Sequence, residues 1–287
     1  MTAEVSSPHF TPSTFEFQGC RFALQRAGTG PPVVFIQGVG VHGRGWTPQI
    51  EALASRFACL CFDNRGMGES QPAARAITVS QMAKDALGLI THLGWASAHL
   101  VGHSLGGPIA LEMTLRQPSR VRSLTLLCTI ARGRDATRLS GRMLWLGLRS
   151  RLGPRAARRR AFLEIVMPPG AVTADHADRL ADELAPLFGH DLADQPPIAM
   201  QQLHALRKYD ATARLPQLAG IPTLVVSATH DPIAPPRFGR ALAAAIAGAR
   251  FVEFPGASHG LPIQHADAIN ALLIEHLTRA ESAPRTY

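Results

Sequence analysis

The stretch Leu100-Val101-Gly102-His103-Ser104-Leu105-Gly106-Gly107 joins an apolar run to a helical pattern through a Gly-x-Ser-x-Gly sequence. A strand that turns directly into a helix in this way holds the central serine in a strained conformation, with its hydroxyl above the sheet. Only small residues fit two positions before and two positions after such a serine, and Gly102 and Gly106 meet that need. The pattern therefore predicts a strand, a tight turn at Ser104 and a helix.

Short runs rich in Val, Ile, Leu and Phe alternate with longer amphipathic stretches on both sides of this turn. Strands are predicted near Arg21–Arg26, Val33–Gln37, Ala58–Phe62, Ala98–Gly102, Val121–Cys128, Thr223–Ser227 and Arg250–Phe254. Helices are predicted near Thr47–Arg56, Ser80–Leu93, Ser104–Gln117, Pro236–Ala247 and Ala266–Arg279. This alternation is typical of an α/β fold, in which helices flank a mostly parallel sheet.

The alternation stops between residues 131 and 215, where helical patterns follow one another without a strand. Pro168-Pro169-Gly170 and Pro196-Pro197 interrupt these patterns, since proline lacks an amide donor and disfavours helix in the residue before it. We therefore expect one core domain, formed by residues 1–130 and 216–287. A helical insertion of several short helices, residues 131–215, is expected before the last two strands.

A second motif, Asp63-Asn64-Arg65-Gly66-Met67-Gly68-Glu69-Ser70, follows the predicted strand at Ala58–Phe62. Together with the turn at Ser104, this loop resembles the α/β-hydrolase fold family, which has a D-x-R-G-x-G-x-S loop at the same place. The resemblance extends over nearly the whole chain. It implies an α/β-hydrolase fold in which residues 131–215 form a helical lid, or cap, over a serine nucleophile.

The resemblance also assigns three catalytic residues. A serine hydroxyl is a good nucleophile only when a base accepts its proton and a carboxylate holds that base in one tautomer. The family supplies these groups in the order serine, acid, histidine. This implies Ser104 as nucleophile, Asp231 as acid and His259 as base. Each follows the carboxyl end of a predicted strand, the edge at which open α/β sheets place their sites.

An acyl-transfer intermediate also needs hydrogen-bond donors for its oxyanion, usually two backbone amides. One donor is expected to be the amide of Leu105, directly after Ser104. The resemblance places the other at Val39, within Gln37-Gly38-Val39-Gly40. The family usually has histidine where this chain has Gln37, a change that is expected to affect the anchoring of the loop but not the main-chain donor.

Four further residues are candidates for contact with the substrate, namely His42, His103, Met143 and Trp145. Each also has a plainer interpretation. His103 would serve as a packing or hydrogen-bonding residue, and His42 would shape the pocket wall or cap the following helix. Met143 and Trp145 would hold the lid on the core. Asp135, in the insertion, is a spare candidate for the acid.

A serine at the turn favours acyl transfer, because haloalkane dehalogenases and epoxide hydrolases of this fold have aspartate there. The sequence is similar to methyl ester esterases that act on carrier-bound acyl chains, and to enol-lactonases. We therefore expect a carboxylic ester hydrolase (EC 3.1.1 type) acting on an ester, thioester or lactone. The same three side chains also serve C–C bond hydrolases, perhydrolases and acyltransferases. A small-molecule receptor on this fold is a further alternative.

The charge of the chain is concentrated in one segment. The net charge is +8, and ten arginines lie between Arg132 and Arg160 with Asp135 as the one acidic residue among them. A basic lid of this kind would suit an anionic substrate or an acyl-carrier protein, although a solvated helix face is the plainer interpretation. Trp145 and Phe162 are the only aromatic residues in or beside the run, and no helix-turn-helix or RNA-binding motif accompanies it, so a nucleic-acid partner is not expected.

Composition excludes several other classes of protein. The 287 residues are 46% hydrophobic and 17% charged, which suits a chain with a large core. Metal-ligand spacing and a complete dinucleotide fingerprint are both missing, so no cofactor is expected. Four cysteines are too few for a disulfide framework, and Cys59 and Cys61 are expected to be buried thiols on one strand face. No apolar stretch suits a membrane span or a leader, so a cytoplasmic protein is expected.

Overall fold

A computed structural model of the protein describes residues 10–137 and 140–282, in which eight strands form one sheet. The strands are β1 (Thr11–Phe17), β2 (Cys20–Ala27), β3 (Pro32–Ile36), β4 (Ala58–Phe62), β5 (Ala98–His103), β6 (Val121–Leu127), β7 (Thr223–Ala228) and β8 (Arg250–Phe254). Their order is β1-β2-β4-β3-β5-β6-β7-β8. β2 pairs antiparallel with β1 and β4, and the remaining pairs are parallel. The predicted mostly parallel α/β sheet is confirmed.

Ten α-helices lie in the described ranges. They are α1 (Thr47–Leu53), α2 (Val79–His92), α3 (Gly106–Arg116), α4 (Gly141–Arg149), α5 (Arg155–Val166), α6 (Ala174–Phe188), α7 (Ile198–Lys208), α8 (Pro236–Ala245), α9 (Leu261–Gln264) and α10 (Ala266–Ser282). Short 3-10 helices span Gly43–Trp46, Pro118–Arg120, Gly133–Thr137 and Thr212–Leu218. In the described part of the chain, no helix combines the length and apolar character needed to cross a bilayer.

The sheet lies between two layers of helices because successive side chains of a strand point to opposite faces. In β3, Val34 and Ile36 belong to the core shared with α2, α3 and α8. Val33 and Phe35 belong to the core shared with α1 and α10. Strands that are buried on both faces read as continuous apolar runs, which is why the sequence predicted the central strands.

The edge strand β1 escaped prediction. Its burial alternates between exposed and half-buried, and its sequence contains polar residues and Pro12, all weak signals for a strand. β1 forms because the turn at Gln18 and Gly19, which have φ angles of 49° and 76°, returns the chain so that β1 pairs with β2 along its whole length. What makes this segment a strand is its pairing with β2, which the composition of β1 does not reveal.

The four cysteines are free and buried. Cys59 and Cys61 lie in the same core layer, as predicted. Burial raises the pKa of both thiols to about 12. They are therefore protonated and unreactive at neutral pH.

The chain between β6 and β7 contains α4, α5, α6 and α7. α5 and α6 share a small apolar core that includes Leu163, Ala181 and Phe188. At the base of this segment its two ends pair with each other. Gly133 N–H donates to the Tyr209 carbonyl over 2.9 Å, and the Ala211 amide donates to the Ala131 carbonyl over 3.0 Å. The two chain connections between the helical segment and the core therefore lie side by side. Arg138, part of the arginine run, lies outside the described residues.

Candidate active site

Ser104 lies in the turn between β5 and α3, where its φ of 53° is in the left-handed region. Its amide donates to the Leu127 carbonyl over 3.0 Å, and its carbonyl accepts from Thr129 Oγ1 over 2.6 Å. A Cβ atom at Gly102 would lie 2.3 Å from the carbonyl oxygen of Gly106. Glycine is therefore required for strand and helix to meet at this angle, which is what holds the hydroxyl of Ser104 above the sheet.

His259, in the loop after β8, joins Ser104 to Asp231. Its Nε2 atom lies 3.0 Å from Ser104 Oγ, and its Nδ1 atom lies 2.8 Å from Asp231 Oδ2. Because an ionised carboxylate only accepts hydrogen bonds, Nδ1 carries the proton and Nε2 presents its lone pair to the serine hydroxyl. The imidazole is therefore oriented to accept the hydroxyl proton of Ser104.

Asp231, in the loop after β7, is buried but fully hydrogen-bonded. Its Oδ1 atom accepts from the amides of Ile233 and Ala234 over 2.8 and 2.9 Å. Burial raises the pKa of this carboxyl group, but the charge of His259 and the hydrogen bonds outweigh it, and the net pKa is lowered. Asp231 is therefore ionised at neutral pH and can stabilise an imidazolium at His259.

His103 lies beside the same imidazole. Its Nε2 atom is 2.9 Å from the main-chain carbonyl oxygen of His259, and the two rings are 4.9 Å apart between centroids. Burial, with a smaller contribution from His259, lowers the pKa of His103 to about 3. Since a carbonyl oxygen can only accept, the neutral ring donates from Nε2, and its Nδ1 atom is unprotonated.

A cavity of about 280 Å³ opens above Ser104, beneath α4, α5 and α7. Its apolar lining residues are Val39, Val41, Trp46, Met143, Phe162, Ile165, Val166, Phe188, Leu203, Leu206, Ile233 and Ile263. Its polar lining side chains are Gln37, His103, Ser104, Gln195 and His259. Ligand sites usually have this mainly apolar lining with a few polar groups.

Two main-chain N–H groups beside Ser104 are not used in hydrogen bonds with the described residues. The neighbouring amides are occupied, since Gly38 N–H donates to the Gln37 side-chain oxygen over 3.2 Å and Gly40 N–H donates to Gln202 Oε1 over 2.9 Å. Within the described ranges, the amides of Val39 and Leu105 donate no hydrogen bond. Both remain available to an oxyanion, so their assignment stays a prediction that this geometry supports.

The alpha/beta hydrolase fold family model matches residues 31–266, most of the chain. The chain belongs to the α/β-hydrolase fold family. The family predicted from the turn at Ser104 and the loop at Asp63 is thereby confirmed.

Individual relatives of this α/β hydrolase carry several names. A protein of Azorhizobium caulinodans that bears the name carbamate hydrolase RutD is 30% identical over 251 residues, or 86% of this chain and 91% of its own length. The enol-lactonase of Burkholderia xenovorans superimposes with a TM-score of 0.77 at 29% identity, covering 93% of this chain and 100% of its own. A malate-bound esterase of Thermogutta terrifontis gives 0.74 at 27% identity, covering 95% and 99%.

The predicted substrate contacts of this α/β hydrolase divide into two groups. Met143 and His103 line the cavity above Ser104. Trp145 lies outside it, with 54% of its surface exposed and the guanidinium of Arg149 5.2 Å from its ring centre. Met143 and Trp145 are two positions apart in α4, and residues with this spacing lie about 200° apart around the axis of an α-helix. Trp145 therefore cannot share the face on which Met143 meets the cavity.

His42 also lies outside the Ser104 cavity. It lines a groove on the outer side of the 3-10 helix at Gly43–Trp46, where its Nδ1 atom lies 3.4 Å from Asp63 Oδ2. Asp135, the spare acid candidate, is paired instead with Arg132, 2.8 Å away. The structure thus brings neither residue to Ser104. The substrate contact expected of His42 stays a prediction.

Several cavity residues were not predicted from the sequence. Phe162, Ile165 and Val166 of α5 are spaced at i, i+3 and i+4, which marks one face of a helix and could have signalled them. Gln195 and Ile233 lie in loops, where no periodicity shows which way a side chain points.

Several arginines of the run form ion pairs with acidic residues of the same helical segment. Arg159 is 3% exposed and lies 2.8 Å from Asp182 and 3.5 Å from Asp178. It also pairs with Asp191, whose pKa it lowers. Arg155 pairs with Asp191 as well. These arginines hold helices together, so an anionic partner for the run stays a prediction.

Proposed function

We propose that this α/β hydrolase is a serine hydrolase that cleaves carboxylic esters, or related thioesters and lactones, through an acyl-enzyme formed on Ser104. The observation that carries the proposal is the hydrogen-bonded chain from Ser104 Oγ through His259 to Asp231, which meets the floor of an apolar cavity. The names of the relatives span carbamate, lactone and ester hydrolysis. All three reactions cleave a bond to an acyl carbon.

Acylation follows from the orientation of the side chains. Ser104 Oγ attacks the acyl carbon as His259 Nε2 takes its proton, and the carbonyl π electrons move onto the oxygen. The amides of Val39 and Leu105 donate to that oxyanion, each contributing about 3 kcal/mol to lowering the barrier. When the carbonyl re-forms, the alkoxy group leaves and takes the proton from His259.

Deacylation reverses these roles. Water attacks the acyl carbon of the ester on Ser104 while His259 Nε2 accepts a water proton. Collapse of the second intermediate returns that proton to Ser104 Oγ and releases the carboxylic acid. Asp231, ionised beneath the ring, stabilises the imidazolium in both halves of the reaction.

We further propose that residues 131–215 act as the lid of this site. Residues of α4, α5 and α7 cover Ser104 and line the cavity. The paired ends of the segment, at Gly133 with Tyr209 and Ala131 with Ala211, bring its two connections to the core together. The segment is also hydrogen-bonded to the core at Val166, Phe188 and Gln202, so admitting substrate would require these contacts to open.

The test is hydrolysis of p-nitrophenyl butyrate by the wild-type protein, Ser104→Ala and Ser119→Ala. Ser119 is an exposed serine distant in sequence from all three proposed groups. We expect steady turnover by the wild type and by Ser119→Ala, and loss of at least about 10³-fold in Ser104→Ala. Undiminished turnover by a folded Ser104→Ala protein would reject the proposal. A burst of one equivalent without further turnover would instead indicate a receptor.

A further inference from the structure

Within the described ranges, the side chains that line the Ser104 cavity include no aspartate, glutamate, lysine or arginine. Asp231 lies behind His259, and its oxygens are taken up by that ring and by two amides. The buried Arg159 of the helical segment pairs with Asp182 and does not line the cavity. The described lining of the cavity therefore offers no fixed counter-ion for a charged substrate.

The two imidazoles of the cavity do not supply that charge. His103 is neutral because burial lowers its pKa to about 3. His259 must be neutral at Nε2 to accept the proton of Ser104, so it is not a cation when substrate binds. A carboxylate placed here would lose its hydration without gaining a cationic partner, and the ionised Asp231 would add repulsion.

One buried side chain offers a neutral polar contact. Gln37 is 5% exposed and lines the cavity. Its Oε1 atom accepts from the Gly38 amide over 3.2 Å, but its Nε2 group makes no hydrogen bond to the other residues that the structure describes. Nε2 is also not among the polar side-chain atoms that are buried without a partner, so this donor is open to the cavity. A substrate oxygen in the cavity could therefore accept a hydrogen bond from it.

We propose that the cavity selects uncharged, mainly apolar esters and that Gln37 Nε2 orients them by donating to a substrate oxygen. This inference rests on the proposed function, because it concerns the same site. Size is consistent with a compact substrate. A cavity of about 150 Å³ accommodates benzene, so the 280 Å³ found here suits about a dozen non-hydrogen atoms.

Dimethyl adipate and monomethyl adipate form a matched pair of probes, since they share one carbon skeleton and differ in whether the far end is a methyl ester or a carboxylate. Hydrolysis is followed in a pH-stat at neutral pH, with a correction for the two equivalent esters of the diester. We expect kcat/KM for monomethyl adipate to be lower by at least about 100-fold. Equal rates, or a preference for the monoester, would overturn the proposal.

Binding to the inactive Ser104→Ala variant separates this inference from the proposed function. Isothermal titration calorimetry with the same two esters reports charge selection without any turnover. We expect the diester to bind and the monoester to bind at least about 30-fold more weakly. If neither ester is hydrolysed by the wild type but this difference persists, the hydrolase proposal fails and the selection stands. Equal affinities would overturn the selection whatever the rates.

The role of Gln37 is tested with Gln37→Glu, which keeps an oxygen for the Gly38 amide but replaces the Nε2 donor. Gln217→Glu is the matched control, because Gln217 is exposed and lies outside the cavity. We expect kcat/KM for dimethyl adipate to fall about 10-fold or more in Gln37→Glu and to stay within twofold in Gln217→Glu. An unchanged rate in a correctly folded Gln37→Glu protein would remove Gln37 from the proposal.

Discussion

The side chain of His103 donates a hydrogen bond from Nε2 to the main-chain carbonyl oxygen of His259 over 2.9 Å. The residue that precedes the proposed nucleophile thus fixes the backbone of the proposed base. The loop that carries His259 is held from two sides, since Asp231 binds the ring and His103 binds the main chain. His103 is therefore a positioning residue in the proposed mechanism.

Replacing His103 should lower kcat more than it changes KM. In His103→Phe the ring is kept but the donor is lost, so the loop of His259 is free to shift, and we expect kcat to fall about 10-fold. His103→Gln restores a donor and should recover part of the loss. Steady-state kinetics on p-nitrophenyl butyrate measures both parameters. Equal losses in the two variants would show that the hydrogen bond to the His259 carbonyl is not what positions the base.

Asp231→Asn should retain the fold but lose most of the activity. The asparagine amide can donate to Nδ1, which favours the tautomer with the proton on Nε2 and leaves no lone pair for Ser104. We expect kcat to fall by about 10³- to 10⁴-fold. The same change at the exposed Asp267 is the control and should have no effect on kcat. Full activity in Asp231→Asn would contradict the assigned acid.

Arg159→Ala should destabilise the lid more than Arg155→Ala does. Arg159 is buried and pairs with Asp178, Asp182 and Asp191; since the first two carboxylates are exposed and Asp191 keeps Arg155, we expect its loss to cost about 2 kcal/mol, from the charged hydrogen bonds of the guanidinium. The side chain of Arg155 is 61% exposed, and loss of an exposed pair usually costs less than about 1 kcal/mol. Limited proteolysis between residues 150 and 195 and thermal unfolding measure the two effects. Similar unfolding temperatures would refute the difference.

Gly106→Ala should impair folding, because the added Cβ atom would lie 2.0 Å from the main-chain oxygen of Ile36. The backbone cannot yield there without separating β3 from α3. At Gly147, inside α4, a Cβ atom would meet nothing within 4 Å. Gly147→Ala should therefore stabilise α4 by about 0.5–1 kcal/mol. Soluble yield and thermal unfolding compare the two variants, and a stable Gly106→Ala protein would contradict the close approach.

Stability should fall as the pH falls from 7 to 4.5, in part through His276. Burial, aided by the charge of Arg250, lowers the pKa of His276 to about 4. An unfolded histidine titrates near 6.5, so in this range the unfolded chain binds a proton that the folded protein does not. His276 alone should account for about 2–3 kcal/mol of the loss.

Denaturant unfolding of His276→Gln and of wild type across this pH range measures that contribution. The variant should show a shallower fall in the free energy of unfolding, whatever its stability at pH 7. The same substitution at the exposed His92 provides the control. Parallel curves for His276→Gln and wild type would contradict the assigned shift.

Features carried by adjacent residues were predictable from the sequence. The glycines around Ser104, the loop at Asp63 and the apolar runs of the central strands predicted the family and the sheet. Loop residues whose contacts depend on distant elements were not. Gln195 lines the cavity from a loop, where no local pattern shows which way a side chain points, and β1 owes its strand to its pairing with β2.

Local patterns in the sequence are enough to specify the α/β fold, the family and the order in which Ser104, Asp231 and His259 follow their strands, because glycine spacing and apolar periodicity act over a few neighbouring residues. The charge around the cavity depends instead on how distant elements pack. In the sequence Arg159 is one cation of a basic run, whereas in the structure the packing of α5 against α6 pairs it with Asp178 and Asp182. Coulomb interactions depend on distance in space, so a sequence that shows a basic lid can still fold around a cavity whose described lining is uncharged.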